Sequence, residues 1–346
     1  MKKFKFFLLF TVSMLLFVSC IQTGKVLPSA TGTRYEVLVV LDENVWKAPS
    51  GRAIVALLDQ DMEALPQPEP VMSIIYCQPQ QFGDLLKPTR NVLKIDVDPR
   101  FETPKIIYSK DVWSYPQSMV RINVANDSVL SRVIRQSGNN ILQFFLSTER
   151  DRLIALSKSS INSKAQNEIK EMFGISLDVP NELSKITKGK DFYWVTNDHH
   201  VARKDLVIYS YPYRDKNTFT LDYLIAKRDS IMKANIPGEL EGSYMGTELV
   251  QYKPIYNAIN INETYCAEVK GLWRMFNGAA MGGPFYSHTR VDEINHRVIT
   301  VEGFVFAPGA KKRNHIRQLE SVIYTVKLPQ EQNVLTEVSV TANKNN

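Results

Sequence analysis

Five histidines, a scatter of carboxylates and one glycine-rich segment are the residues of this 346-residue chain whose types and spacing could do chemistry. Asp198-His199-His200 sets two imidazoles beside a carboxylate, a good ligand set for a zinc-like ion. Adjacent side chains diverge on a strand or a turn, so only one of the two rings faces a given point, and residues 197–203 read as a turn between strands. The same cluster would supply acid and base to a hydrolase with dispersed catalytic residues. His288 and His296 flank a turn at Asp292-Glu293-Ile294-Asn295 and could meet across a hairpin, with no third ligand in view. Asp96 and Asp98 share a strand face beside Lys94, a pattern open to a calcium site and equally to a charged solvent face. Gly242-Ser243-Tyr244-Met245-Gly246 has the wrong spacing for a nucleophile elbow. HExxH, the P-loop and GxGxxG do not occur. The sequence therefore assigns no catalytic residue, no metal and no cofactor.

The most unusual stretch runs from Asn277 to Phe285, where glycines and alanines lie between aromatic residues. Glycine allows close backbone approach and positive φ, so the segment could open a pocket lined by rings, or form a tight buried connection. The candidate binding surface is Trp273, Met275, Phe276, Gly282, Gly283 and Phe285. Lys311, Lys312, Arg313 and Arg317 begin a helix and offer either a solvated face or a surface for acidic head groups. Basic residues at a helix start oppose its dipole.

The elements that must position these residues begin after an export signal. Lys2, Lys3 and Lys5 precede an apolar run from Phe6 to Val18, too short for the roughly 20 residues a membrane span needs. Losing residues 1–19 takes away those three lysines, so the net charge falls from +6 to +3. With no basic run interleaved with aromatics, nucleic acid is not expected as a partner. A hydrophobic fraction of 44% and a charged fraction of 23% are those of a globular protein, long enough for two domains. Cys77 and Cys266 read as buried small hydrophobes.

Strand signals at 35–41, 71–76, 92–97, 105–112 and 119–124, with a helix over 51–64 capped by Ser50, make the first half α/β. Helical spacing continues over 127–173, divided at Gly138 and near Ser157 and ended by Gly174. Strands follow at 175–180, 192–196 and 206–211, then a helix from Thr220 to Lys233, further strands at 242–248, 256–261, 265–273, 285–292 and 297–306, and a last helix over 311–327 stopped by Pro329. The expected fold is α+β or α/β: two mixed domains, the second with a largely antiparallel sheet flanked by helices. The divisions are a signal peptide over 1–19, a tether over 20–34, an N-terminal domain over 35–173, a C-terminal domain over 174–328 and a polar tail over 329–346.

Phe17-Val18-Ser19-Cys20 resembles the lipobox of bacterial lipoproteins. That resemblance implies a diacylglycerol thioether on Cys20 and a further acyl chain, such as palmitate, on its new amino group; two or three chains hold a protein durably. With Asn44-Val45-Trp46, Val112-Trp113, Tyr115-Pro116-Gln117 and Gly303-Phe304-Val305-Phe306-Ala307-Pro308-Gly309, the chain resembles an uncharacterised family of Bacteroidota lipoproteins, a domain of unknown function covering nearly the whole mature chain. Residues 174–328 are also similar in element order to PsbP-like domains, mostly noncatalytic accessory modules. The resemblance implies a cell-envelope location. Because residues 21–25 carry no acidic residue, the periplasmic side of the outer membrane is expected. The expected function is a noncatalytic binding or accessory module with an envelope protein or small ligand as partner; the other reading is an envelope hydrolase. Replacing Cys20→Ser should abolish labelling by radioactive palmitate and release the protein from membrane fractions; a variant still retained there would refute the anchor.

Overall fold

The computed structural model describes residues 26–332. The segment read as a signal peptide, Cys20 and residues 333–346 lie outside that span. No helix among the described residues is long and apolar enough to cross a membrane.

The first unit grows from β1 (Glu36–Val40), α1 (Glu43–Lys47), α2 (Pro49–Leu58), β2 (Ser73–Cys77), β3 (Asn91–Val97), β4 (Lys105–Lys110) and β5 (Ser118–Val124). The sheet order is β2-β1-β3-β5-β4; β4 alone runs antiparallel, at one edge. One sheet face presents Val37, Val39, Leu93, Val120 and Ile122 to α2 and to α3 (Asp127–Lys158). Each fully buried aliphatic side chain contributes about 1.5–3 kcal/mol, which is what presses the helices onto the strands.

Several boundaries differ from the sequence expectation, each for a local reason. Ser50 does not cap α2: Pro49 occupies its first turn after Ala48, as proline's fixed φ favours, and the Ser50 hydroxyl instead donates to Asp127. The helix ends at Leu58 rather than near Ala64, because Met62 and Val71 turn their N–H groups to the carbonyls of Glu69 and Gln60. Gly138 does not divide the long helix; α3 runs unbroken for 32 residues. A Cβ at Gly138 would stand 3.0 Å from Leu57 Cδ2, so the glycine lets α3 cross α2 closely. After Ser159 comes α4 (Ser163–Phe173), ended by Gly174 at φ 64 as expected.

The second unit is an antiparallel sheet of eight strands. Residues 175–180 make no strand; Ser176 and Pro180 form isolated bridges to Lys327 and Ile161. In their place β6 (Lys185–Gly189), an exposed edge strand with a single large apolar residue, precedes β7 (Phe192–Thr196) and β8 (Arg203–Pro212). Then come α5 (Leu221–Asn235), β9 (Tyr244–Thr247), β10 (Ile255–Ile261), β11 (Thr264–Phe276), β12 (Gly282–Asp292), β13 (Arg297–Phe306) and α6 (Arg313–Ile323). The order is β10-β11-β12-β13-β8-β7-β6, with β9 beside β11. Both faces are covered. Leu224, Ile225 and Met232 of α5 pack on one, and Ile169 of α4 with Ile316 and Leu319 of α6 on the other. The last helix is shorter than expected because residues 324–328 leave it to reach Ser176 and Asp178, not because Pro329 stops it.

At the basic start of α6 only Lys311 is exposed; Lys312 and Arg313 are buried and Arg317 is partly so, so they form no solvated face for head groups. The Glu69 carboxylate, itself 4% exposed, accepts the backbone N–H groups of Lys312 at 2.6 Å and Arg313 at 3.2 Å, offsetting the dipole at that end. Arg313 donates to the Pro70 carbonyl at 2.6 Å. These bonds and the packing of α3 on α6 join the two units.

Within the first unit, Glu149 of α3 is fully buried. It accepts Arg90 through both oxygens at 2.8 Å, Asn91 at 2.7 Å and Arg152 at 2.6 Å. Removing one partner of a buried ion pair typically costs about 3–5 kcal/mol. Glu149→Ala should therefore lower the unfolding free energy by about that amount, measured by urea titration; a loss below about 1 kcal/mol would show that the network is solvated.

Candidate functional site

Where the two units meet, a cleft of about 520 Å³ opens between α3, the 60–64 loop, the β10–β12 strands and α6. This is the volume of a small-molecule site. Its floor is set by strand register. Glu268 and Lys270 lie two apart on β11, opposite His288 and Tyr286 of β12 respectively, so the pleat places all four on one face.

Glu268 accepts hydrogen bonds from Asn257 Nδ2 and Lys270 Nζ, each at 3.0 Å, and from the Tyr286 hydroxyl. A phenol has one proton; with it given to Glu268, the Tyr286 oxygen accepts from His288 Nε2 at 2.8 Å. A chain thus runs from His288 through Tyr286 to Glu268. Burial opposes ionisation of Glu268, but His288, Lys270, Tyr286 and Asn257 outweigh it and hold the carboxyl well below the usual range. Burial likewise opposes the Lys270 charge, and Glu268 more than restores it, raising its pKa. His288 is 3% exposed, and there burial wins over Glu268, holding the ring below its ordinary value and so neutral.

The roof comes from α3 and α6. Arg150 lies over the Tyr324 ring with its guanidinium carbon 3.7 Å from the centroid, and its nearest carboxylate oxygen is Glu320 Oε1 at 3.8 Å. The other Glu320 oxygen is taken by Arg317 at 2.8 Å. The Tyr324 ring meets His288 edge-on at 4.8 Å, closing the floor against the roof.

The residues singled out in the sequence lie mostly elsewhere. Trp273 is 2% exposed; its Nε1 donates to the Val305 carbonyl at 3.1 Å. Met275 is buried, and Phe276 stacks on Tyr244 at 5.4 Å. A Cβ at Gly282 or Gly283 would stand 2.7 Å from the Trp273 carbonyl oxygen or 2.0 Å from that of Val305, so these glycines serve close strand approach. Phe285 is buried and borders the cleft. The 277–280 segment is not a buried connection but an exposed hairpin tip, and with Met275 it lines an open groove of about 620 Å³ that none of the aromatic rings enters.

Asp198, His199 and His200 sit on an exposed tip. There Asp198 pairs with Lys185 at 2.6 Å and His199 Nδ1 accepts the Val201 N–H at 3.2 Å. His288 and His296 do not meet: His296 is exposed in the turn and His288 is buried within the sheet. Asp96 pairs with Lys94 and Asp98 with Arg100. Cys77 and Cys266 are free thiols in different sheets, and burial pushes Cys266 up to about 12. Among the described residues no group of three or more His, Cys, Asp or Glu is placed to hold a metal ion.

The sequence reading passed over Glu268, Lys270, Tyr286, Arg150 and Glu320. The available signal was polar alternation inside long apolar strands, which marks a face but not what covers it. Because the folded state holds His288 neutral, the unfolded chain takes up that proton more readily, and stability falls as pH drops below about 6.5. His288→Gln should lose less stability than the wild type between pH 7 and pH 5 in urea unfolding. The depressed His315 keeps part of the slope, and Glu268 contributes only below its unfolded range near 4.5. Identical slopes would show that His288 takes up its proton equally readily in the folded and the unfolded chain.

Residues 162–325 match the family model of a domain of unknown function (DUF4837), and residues 30–158 that of a second (DUF8532). Two family models, rather than one, thus share the chain between them. No curated protein matches. A crystal structure from Bacteroides thetaiotaomicron VPI-5482 is similar at 13% identity over 44% of each chain, with a TM-score of 0.25, too low to carry an argument.

Proposed function

We propose that this protein is a lipid-anchored envelope protein that binds a small polar ligand in the cleft between its two units. The carrying observation is the cleft itself: about 520 Å³, within the range of small-ligand sites, and walled by side chains held in fixed geometry by hydrogen bonds. The order of basic residues, apolar run and Phe17-Val18-Ser19-Cys20 supports acylation of Cys20. The absence of acidic residues in 21–25 supports a domain hanging from the outer membrane into the periplasm.

Binding is favoured over turnover by the commitment of the reactive groups. The Tyr286 hydroxyl is committed to Glu268, and His288, whose Nε2 bonds Tyr286, does not line the cleft, so no imidazole among the described residues faces a substrate there. The hydrolase reading that used Asp198 with His199 or His200 is not supported by their place on an exposed tip beside Lys185. Met275 and the 277–281 tip line an open groove of about 620 Å³, but none of the aromatic rings reaches it, and Trp273 and Phe285 turn into the core.

Ile259 lines the cleft from the edge strand β10 and pairs with Cys266 on the same sheet face as Asn257 and Glu268, so a larger side chain there fills the cavity. Native mass spectrometry of protein purified gently from its own envelope should show a small molecule bound one to one in the wild type and none in Ile259→Trp. Equal occupancy in the two, or none in either, would overturn the cleft as the ligand site.

A further inference from the structure

We infer that the ligand of this cleft carries a carboxylate or phosphate group and that Arg150 is the residue that anchors it. The inference rests on the cleft being the ligand site and adds the chemistry it selects.

Most partly buried arginines of the molecule spend their donors within the fold. Arg90 and Arg152 serve Glu149, Arg228 serves Glu302, Arg290 serves Glu331 and Arg297 serves Asp292. Arg150 differs. Its side chain is 26% exposed and its nearest carboxylate oxygen stands at 3.8 Å, beyond hydrogen-bond reach, and no hydrogen bond joins it to another described residue. A guanidinium has five N–H donors in a planar fork that matches a carboxylate or phosphate through two parallel bonds. Stacking on Tyr324 at 3.7 Å already fixes the plane of that fork, so little rotamer entropy remains to be lost on binding.

The surroundings fit an anion. Asn139 and Gln143 lie on α3 at spacings of four and seven residues leading to Arg150, on the same helix face. They line the cleft and make no hydrogen bond to another described residue. From the floor, Lys270 adds an ammonium whose side chain is 24% exposed. The carboxylates that could repel an anion are largely occupied: Glu268 by Lys270, Tyr286 and Asn257, and Glu320 by Arg317. Asp61 and Glu63 are the loose ones: Asp61 is exposed at the cleft rim, and Glu63, 57% exposed and 3.5 Å from Lys270, is placed to swing into solvent when an anion arrives.

The test titrates inorganic phosphate, and separately acetate, into the detergent-solubilised mature protein at low ionic strength, reading affinity by isothermal titration calorimetry in every variant and the Arg150 Nε–H resonance wherever Arg150 is retained. A saturable shift is expected with at least one of the two, and which one identifies the group selected. Affinity should fall at least about tenfold in Arg150→Met and less in Arg150→Lys, which keeps the charge but not the fork. Arg132→Met, an exposed change on the same helix, should leave it unaltered, and thermal melts confirm that each variant folds. No saturable shift with either anion, or unchanged affinity in Arg150→Met, would overturn the inference. If both anions fail while Ile259→Trp still empties the purified protein, the ligand is not an anion and the cleft reading survives. If Ile259→Trp changes nothing, the cleft reading falls as well.

Discussion

The buried carboxylate of Glu149 fixes how the long helix sits in the molecule. It is fully enclosed and bonded to Arg90, Asn91 and Arg152, so α3 cannot rotate about its axis without leaving an ion unpaired in the interior. Successive helical residues point about 100° apart. With Glu149 facing the first sheet, Arg150 is thereby directed across the junction to Tyr324 and Glu320 of the second unit. One turn of one helix thus sets both the packing of the first sheet and the roof of the cleft.

The junction is held mainly by polar contacts at its ends. Glu69 binds the backbone at the start of α6, and Tyr252 accepts the Ala64 N–H at 2.7 Å. Between these points α3 packs on α6, and beside that contact the walls diverge and leave the cleft. Its floor is Glu268, Lys270 and Tyr286, backed by the buried His288, and the four satisfy one another. Such a floor is costly to bury unless every group is paired, and the pairing gives it a fixed geometry against which a ligand can be read. A polar lining beneath a stacked arginine suits recognition of a charged small molecule better than recognition of an apolar one.

Much of the architecture was legible in the sequence because it follows from local pattern. Apolar runs and helical spacing located nearly every strand and helix, and Gly174 was readable as a cap because positive φ favours glycine. Where the reading failed, a nonlocal contact decided. Gly138 looked like a break because glycine is a poor helix former, yet it is the point at which Leu57 presses on α3. Lys312 and Arg313 looked like a solvated face because nothing local announces Glu69, more than 240 residues away.

The sequence alone determined the class of fold, the order of its elements and the residues that read as an acylation signal at Cys20, since these depend on hydrophobic period and short spacing. Only the tertiary structure decided where a ligand site could be. Glu268 and Lys270 are separated from Tyr286 and His288 by a hairpin whose register sets which faces which, and Arg150 and Tyr324 come from different units of the chain. No short-range pattern encodes that meeting, because it is fixed by how whole layers pack. The same packing turned Trp273 inward and left the glycines beside it to serve strand approach.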